Sequence, residues 1–212
     1  MNIRKVDPFH PEPEIIAEAS RSIQTGGVVA FPTRCLFGLA ADALNPVSVE
    51  RVFQIKQRPP DKPVLVLIKK RTDLSGLVKS IPSTAKNLID VFWPGRITII
   101  FKAKDALSEV LTARTGKIGV RIPGHPVAVA LVNTLNHPIT GTSANLSGHT
   151  GCSRISELSH DISDKLDLIL DAGPLRGGVG STVVDVTVNP PKVIRHGEVS
   201  EKAIFSALGE KS

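Results

Sequence analysis

At 212 residues with 41% apolar content, the chain can bury one sizeable core and is too short for two full catalytic domains. A formal charge of +6 favours anionic partners such as nucleotides, RNA or phosphorylated metabolites. Cys35 and Cys152 lie too far apart for a disulfide framework, and the six histidines never fall at metal-ligand spacing, which excludes a zinc-site reading and leaves a reducing, cytoplasmic setting as the expectation.

Helical and strand signals alternate along the chain. No apolar run approaches the roughly 20 residues that cross a bilayer, and Met1 to Pro13 is polar with no signal-peptide core, so no membrane partner is expected. Glu14 to Gln24 carries Ile15, Ile16, Ala19 and Ile23 at helical spacing, and Gly26-Gly27 ends it before a strand, Val28 to Phe31, and a loop, Pro32 to Gly38. Asn45 is a natural N-cap and Pro46 a natural first residue for a helix running to Lys56, with Val49, Val52 and Phe53 as its buried stripe. Lys56-Gln57-Arg58-Pro59 follows, and then Pro63 and a buried strand from Val64 to Ile68.

Further on, Ser83 to Phe92 reads as a helix stopped by Pro94-Gly95, Ile97 to Phe101 and Ile118 to Ile122 as strands, and Pro126 to Leu135 as a helix. Ile139 to Thr142 is a short strand entering the turn Ser143-Ala144-Asn145. Ser153 is expected to cap a helix through Leu158. Leu168 to Leu170, Ser181 to Val188 and Val193 to Arg195 read as strands, and Ser200 to Leu208 as a closing helix ended by Gly209. Such alternation implies a single α/β domain over 1–212 whose sheet is covered on both faces.

Chemistry on such a sheet gathers where loops converge beyond strand ends. Four loops have suitable composition: Pro32-Thr33-Arg34, Lys56-Gln57-Arg58, Ser143-Ala144-Asn145, and Arg176-Gly177-Gly178-Val179-Gly180-Ser181-Thr182. Residues 56 to 71 hold Lys56, Arg58, Lys62, Lys69, Lys70 and Arg71 against Asp61 alone, the last three reading as a solvated face. Each loop also has a plainer reading. Basic residues in a last helical turn complement the macrodipole, Ser and Asn form turns by bonding their own backbone, and glycine-rich loops are often simple connections. Neither a Walker loop nor G-x-G-x-x-G is present.

Over roughly residues 13 to 200 the sequence resembles the YrdC-like family of L-threonylcarbamoyl-AMP synthases. The resemblance rests on a K-x-R pair matched with S-x-N, here Lys56, Arg58, Ser143 and Asn145. Supporting segments are Pro32-Thr33-Arg34-Cys35-Leu36-Phe37-Gly38-Leu39, Trp93-Pro94-Gly95-Arg96-Ile97-Thr98, Arg121-Ile122-Pro123-Gly124-His125-Pro126, Asp171-Ala172-Gly173-Pro174, Gly178 to Asp185, and Arg195 with Gly197.

The resemblance implies a twisted mixed parallel and antiparallel sheet flanked by helices around a large basic cavity. It implies that ATP, L-threonine and bicarbonate give threonylcarbamoyl-AMP and pyrophosphate, usually with Mg²⁺, for transfer to a tRNA adenosine by partner proteins, with weak RNA binding. Catalysis would be mostly positioning and electrostatics, needing no protein nucleophile. Lys56 and Arg58 would grip the ATP phosphates from a surface cleft, Ser143 and Asn145 would fix nucleotide oxygens, and Arg195 would lie near the nucleotide. Arg121 would hold the threonine carboxylate, with Thr33 and Ser181 also on the amino acid. His125 and Trp93 read as structural. Arg34 stands where an acidic residue is common, and a cation there would disfavour an ammonium group. Cys35 and Arg96 also depart from the pattern. The end at Ser212 matches a short form without an extra C-terminal domain. The alternatives are a non-catalytic RNA-binding module, which the lack of a basic-aromatic stripe disfavours, and a carbamoyl-adenylate-forming relative acting on another substrate.

Overall fold

The apolar runs assemble into two mixed sheets rather than one. The computed structural model describes residues 2–209, so both ends of the expected 1–212 span, Ser212 included, lie outside the described residues. The first half runs β1 (Ile3–Lys5), α1 (Pro13–Gln24), β2 (Val29–Pro32), β3 (Phe37–Ala40), α2 (Pro46–Lys56), β4 (Val66–Leu67), α3 (Leu74–Leu77), α4 (Ser83–Phe92) and β5 (Ile97–Lys102). The second runs α5 (Glu109–Thr112), β6 (Lys117–Arg121), α6 (Pro126–Leu135), β7 (Ile139–Thr140), β8 (Thr142–Ser143), α7 (His160–Ser163), β9 (Leu168–Asp171), β10 (Thr182–Asp185), β11 (Lys192–Arg195) and α8 (Glu201–Ala207). One sheet has the order β1-β9-β2-β3-β8 and the other β11-β10-β5-β6-β4-β7, each with parallel and antiparallel neighbours.

Helix periodicity explains the layers. Ile16, Ala19 and Ile23 of α1 pack with Val127, Leu131 and Leu135 of α6 on one face of the first sheet. Val52 and Ile55 of α2 and Ile162 of α7 cover the other face. A strand buried on both faces needs no alternation, which is why Val28 to Phe31 reads as a continuous apolar run. The second sheet packs its core against α4 and α8 through Leu88, Ile89 and Ile204. Full burial of side chains such as Phe31, Phe37 and Phe101 stabilises this arrangement by about 1.5–3 kcal/mol each.

Several boundaries differ from the sequence reading. The Pro32–Gly38 loop tightens into a hairpin, because β2 and β3 pair antiparallel and Thr33 N–H donates to Leu36 O. Only Val66 and Leu67 of the Val64–Ile68 run form a ladder, although Val64 and Ile68 are equally buried. The expected helix from Ser153 through Leu158 is not α-helical; Glu157 folds back to accept from the Ser153 and Arg154 N–H groups, giving one 3₁₀ turn at Ile155–Glu157. The strand from Ser181 stops at Asp185, whose carboxylate accepts from Thr187 N–H and Oγ1 and turns the chain.

The two sheets meet at residues 139–143. β7 belongs to one sheet and β8 to the other, with Gly141 between them. Thr140 pins the crossing: its Oγ1 donates to Leu39 O at 3.0 Å and accepts from Ala41 N–H at 2.9 Å. A Cβ on Gly141 would lie 2.7 Å from Leu65 Cδ1 and 2.8 Å from Leu67 Cγ. Gly141→Ala is therefore expected to destabilise the protein by about 1–3 kcal/mol, read as a lower denaturant midpoint at unchanged slope.

Candidate active site

The K-x-R and S-x-N fragments come together at the end of α2. Asn45 Oδ1 accepts from Val47 N–H and Ser48 N–H, fixing the start of the helix. Gln57 ends it in the left-handed region at φ 48°, a conformation that costs a non-glycine residue about 1–2 kcal/mol and redirects the chain so that Arg58 N–H bonds back to Phe53 O. Lys56 turns inward. It is 1% exposed, and its Nζ donates to Ser143 O and, at 2.7 Å, to Asn145 O, while Ser147 N–H returns a bond to Lys56 O. This overturns the expectation that Lys56 lies at a surface cleft, because the backbone carbonyls of Ser143 in β8 and of Asn145 just past it outcompete solvent for the ammonium. Burial, and next the nearby Arg58 charge, push Lys56 down to about 7.

Arg58 is half-buried, held by Lys62 O and Pro63 O at 2.8 Å each, and pushed down by burial and then by Arg195. Asn145 spends its Nδ2 on Leu146 O and His149 O, leaving Oδ1 buried and unpartnered among the described residues. Ser147 Oγ, two residues on, is also buried without a partner among the described residues. Ser143 gives its carbonyl to Lys56 and pairs with Gly38 in the sheet.

A second group lies at the end of β6. Arg121 bonds Gly95 O weakly at 3.5 Å, and its Nε is buried with no partner among the described residues. Burial, followed by Arg195, holds its guanidinium down at about 10. Arg195 bonds Ser181 O at 2.7 Å and Ser181 Oγ at 3.1 Å. Ser181 is 3% exposed, and its hydroxyl also meets Thr98 Oγ1 at 2.9 Å, so it positions Arg195. Thr33 Oγ1 donates to Leu36 O at 2.6 Å. Thr33, Arg34, Gly95, Arg121, Gly124 and His125 border a small cavity with room for about 10 Å³, on the order of a single water. That is below the ~300–1,000 Å³ of typical ligand pockets, so the implied large basic cavity is not confirmed as an enclosed hollow. His125 caps α6, its Nδ1 accepting from Val127 N–H, and Trp93 is buried with its indole N–H on Ile97 O, matching their structural reading.

Lys56, Arg58, Arg195 and Arg121 thus form a row of partly desolvated cations, Lys56 sensing Arg58, and Arg58 and Arg121 both sensing Arg195. None of the four has a carboxylate within 4.0 Å among the described residues. A row of cations with no carboxylate in direct contact is built for a polyanion. Sequence reasoning missed Glu198. Its carboxylate lies 3.5 Å from Arg34 and 3.8 Å from Arg176, so the cation that disturbed the motif is partly neutralised from the far end of the chain. Gly197 is needed beside it. A Cβ there would fall 2.3 Å from Gly180 O and 2.4 Å from Thr182 N, so Gly197→Ala is expected to separate Arg195 from Ser181 and cut turnover by about tenfold or more, with a fall in melting temperature.

A model of the Sua5/YciO/YrdC family, described as telomere recombination, matches residues 21–197. A threonylcarbamoyl-AMP synthase of Bacillus subtilis (strain 168) is 37% identical over 195 residues, covering 92% of this chain and 56% of that protein. The chain therefore spans about half the length of that curated relative. The structure of Pyrococcus abyssi Sua5 complexed with L-threonine superposes with a TM-score of 0.94 at 35% identity, over 99% of this chain and 62% of that one. Escherichia coli YciO superposes with a TM-score of 0.88 at 28% identity, over 96% of this chain and 100% of that one. With most of its length matched by the family model and its fold shared with these structures, the chain belongs to the Sua5/YciO/YrdC family.

Proposed function

We propose that the chain forms threonylcarbamoyl-AMP and pyrophosphate from ATP, L-threonine and bicarbonate. The observation that carries this reading is Arg121: a desolvated guanidinium with an unpartnered Nε at a small cavity asks for a carboxylate, and its planar fork suits one better than lysine would. The neighbouring cations Arg195, Arg58 and Lys56 suit a triphosphate, and the unpartnered Asn145 Oδ1 and Ser147 Oγ offer polar contacts to the nucleotide. The names of the B. subtilis and P. abyssi relatives support both substrates.

In this reading the residues bind and orient. Arg121 holds the α-carboxylate near Thr33, while Arg58 and Arg195 screen the α-phosphate as the carbamate oxygen bonds to phosphorus and the bond to pyrophosphate breaks. Fixed cations in a desolvated site stabilise that charge without reorganising. Mg²⁺ would enter as the counter-ion of ATP. The product then serves tRNA modification through partner proteins in the cytoplasm. Among the described residues no helix is long and apolar enough to cross a membrane.

The test is incubation with ATP, Mg²⁺ and bicarbonate, with and without L-threonine. Threonine-dependent pyrophosphate release, with threonylcarbamoyl-AMP seen by mass spectrometry, is expected. Threonine-independent release would instead favour another carbamoyl acceptor.

A further inference from the structure

Arg195 reaches the site because β11 carries one extra residue. Val184 pairs with Val193 and Val183 with Arg195, so Ile194 has no opposite number on β10 and bulges outward, 53% exposed. Side chains alternate between faces along a strand, and in an unbroken β11 Arg195 would share the face of Val193, which packs into the core of the second sheet. The bulge turns Arg195 over onto the opposite face. Thr98 lies on that face as well, because it pairs with Val183, and the pairing of Ile99 with Val120 sets it beside Arg121. One row therefore crosses four strands: Arg195, Val183, Thr98, Arg121. Ser181, two residues before Val183, joins it through the 2.9 Å contact of its hydroxyl with Thr98 Oγ1.

The hydrogens of the two hydroxyls can be followed. Arg195 Nε and Nη2 hold Ser181 O at 3.2 and 2.7 Å, and Nη2 also donates to Ser181 Oγ at 3.1 Å. A guanidinium can only donate, so Ser181 Oγ accepts here. The contact between Thr98 and Ser181 uses one hydroxyl hydrogen. The other has no acceptor among the described residues, and with Thr98 1% and Ser181 3% exposed it is shut off from bulk water. Gly119 fixes the rotamer of Thr98: a Cβ there would lie 3.2 Å from Thr98 Cγ2, so the methyl group fills the β6 side and Oγ1 faces Ser181. With Thr98 as donor, both lone pairs of Ser181 Oγ are filled and its own hydrogen has one direction left. Two donors on one oxygen also polarise that O–H and make it a stronger donor.

We propose that Thr98 is a positioning residue: its hydroxyl donates to Ser181 Oγ and thereby aims the Ser181 O–H at an anionic substrate oxygen lying between Arg121 and Arg195. This rests on the synthase reading above, which supplies both a carboxylate and a phosphate for that place. Thr98 itself touches no substrate and acts through Ser181.

Calorimetric titration of the full chain with L-threonine alone, and with ATP and Mg²⁺ alone, in wild type, Thr98→Val and Thr98→Ser, tests it. Valine keeps the shape of the side chain and removes the hydroxyl, whereas serine keeps the hydroxyl and removes the methyl group. Thr98→Val is expected to weaken at least one of the two ligands by about three- to tenfold, and Thr98→Ser to stay within about twofold of wild type for both. A loss for L-threonine places a carboxylate oxygen on Ser181, and a loss for ATP places a phosphate oxygen there. Ser181→Ala should show the same loss, with none added in the Thr98→Val, Ser181→Ala double variant, because the two residues act in series. Should Thr98→Val fail to fold, Thr98→Ala takes its place. Equal losses in Thr98→Val and Thr98→Ser would overturn the proposal by tracing the effect to the methyl group on Gly119. Unchanged affinity for both ligands in Thr98→Val, additive losses in the double variant, or a wild type that binds neither ligand would overturn it too. The synthase reading fails separately, by absence of threonine-dependent pyrophosphate release, while the affinities still decide the role of Thr98.

Discussion

Arg121→Met is expected to cut activity by about 10³-fold and raise the melting temperature in the same protein. The guanidinium is paid for by the fold: burial, and next the Arg195 charge, hold it down at about 10, a shift worth on the order of 3 kcal/mol against the charged form, and its Nε has no partner among the described residues. Replacing an uncompensated buried charge by an apolar side chain of similar length removes that cost. A gain of about 1 kcal/mol or more, or about 2–4 °C, is expected in thermal unfolding. Because the depressed value still lies near 10, Arg121 stays charged throughout the neutral range, and the gain should not vary between pH 6 and 8. Activity should move the other way. Loss of the carboxylate anchor should lower kcat/KM for the amino acid by about 10³-fold while leaving ATP binding within a few-fold. A melting temperature that falls on Arg121→Met would show instead that the bond to Gly95 O is what the residue is for.

How much of this was visible in the chain differs by residue. The helix from Pro46 to Lys56 was legible because its cap, its first-turn proline and its apolar stripe are local signals, and the structure reproduces each. The convergence of Lys56 with Ser143 and Asn145 was legible only through family resemblance, and the direction of Lys56 was not legible at all. A lysine at a helix end reads as solvated unless the carbonyls that claim it are known, and those come from a strand far along the chain. The division into two sheets was hidden because β7 and β8 hold two residues each, too few for any periodicity. Glu198 carried no pattern of its own. Its meaning lies in Arg34 and Arg176, which reach it from two other loops.

Lys56→Ala is expected to be both inactive and unstable, and the pH dependence of its stability distinguishes why. Truncation removes a fully buried stem and leaves the Ser143 and Asn145 carbonyls without their donor. Cavity and unsatisfied acceptors together should cost about 3–5 kcal/mol, a fall of roughly 6–20 °C. Lys56→Met keeps most of the stem and isolates the charge. With a folded value near 7 and an unfolded value of 10.5, the folded state binds fewer protons than the unfolded state between those limits. The lysine's contribution to stability therefore rises with pH across roughly 7 to 10.5, by up to about 1.4 kcal/mol per unit, and is flat below 7 where both states are protonated. Urea unfolding of the wild type at pH 7, 8 and 9 should show that rise, and Lys56→Met should flatten it. A triphosphate near Nζ would favour the ammonium, so nucleotide binding at pH 8 should take up a fraction of a proton in wild type and none in Lys56→Met, measured by titration in buffers of different ionisation enthalpy. Equal slopes in the two proteins would mean that the Ser143 and Asn145 carbonyls already hold the ammonium fully charged, leaving Lys56 to fix the S-x-N loop and the nucleotide's charge to Arg58 and Arg195.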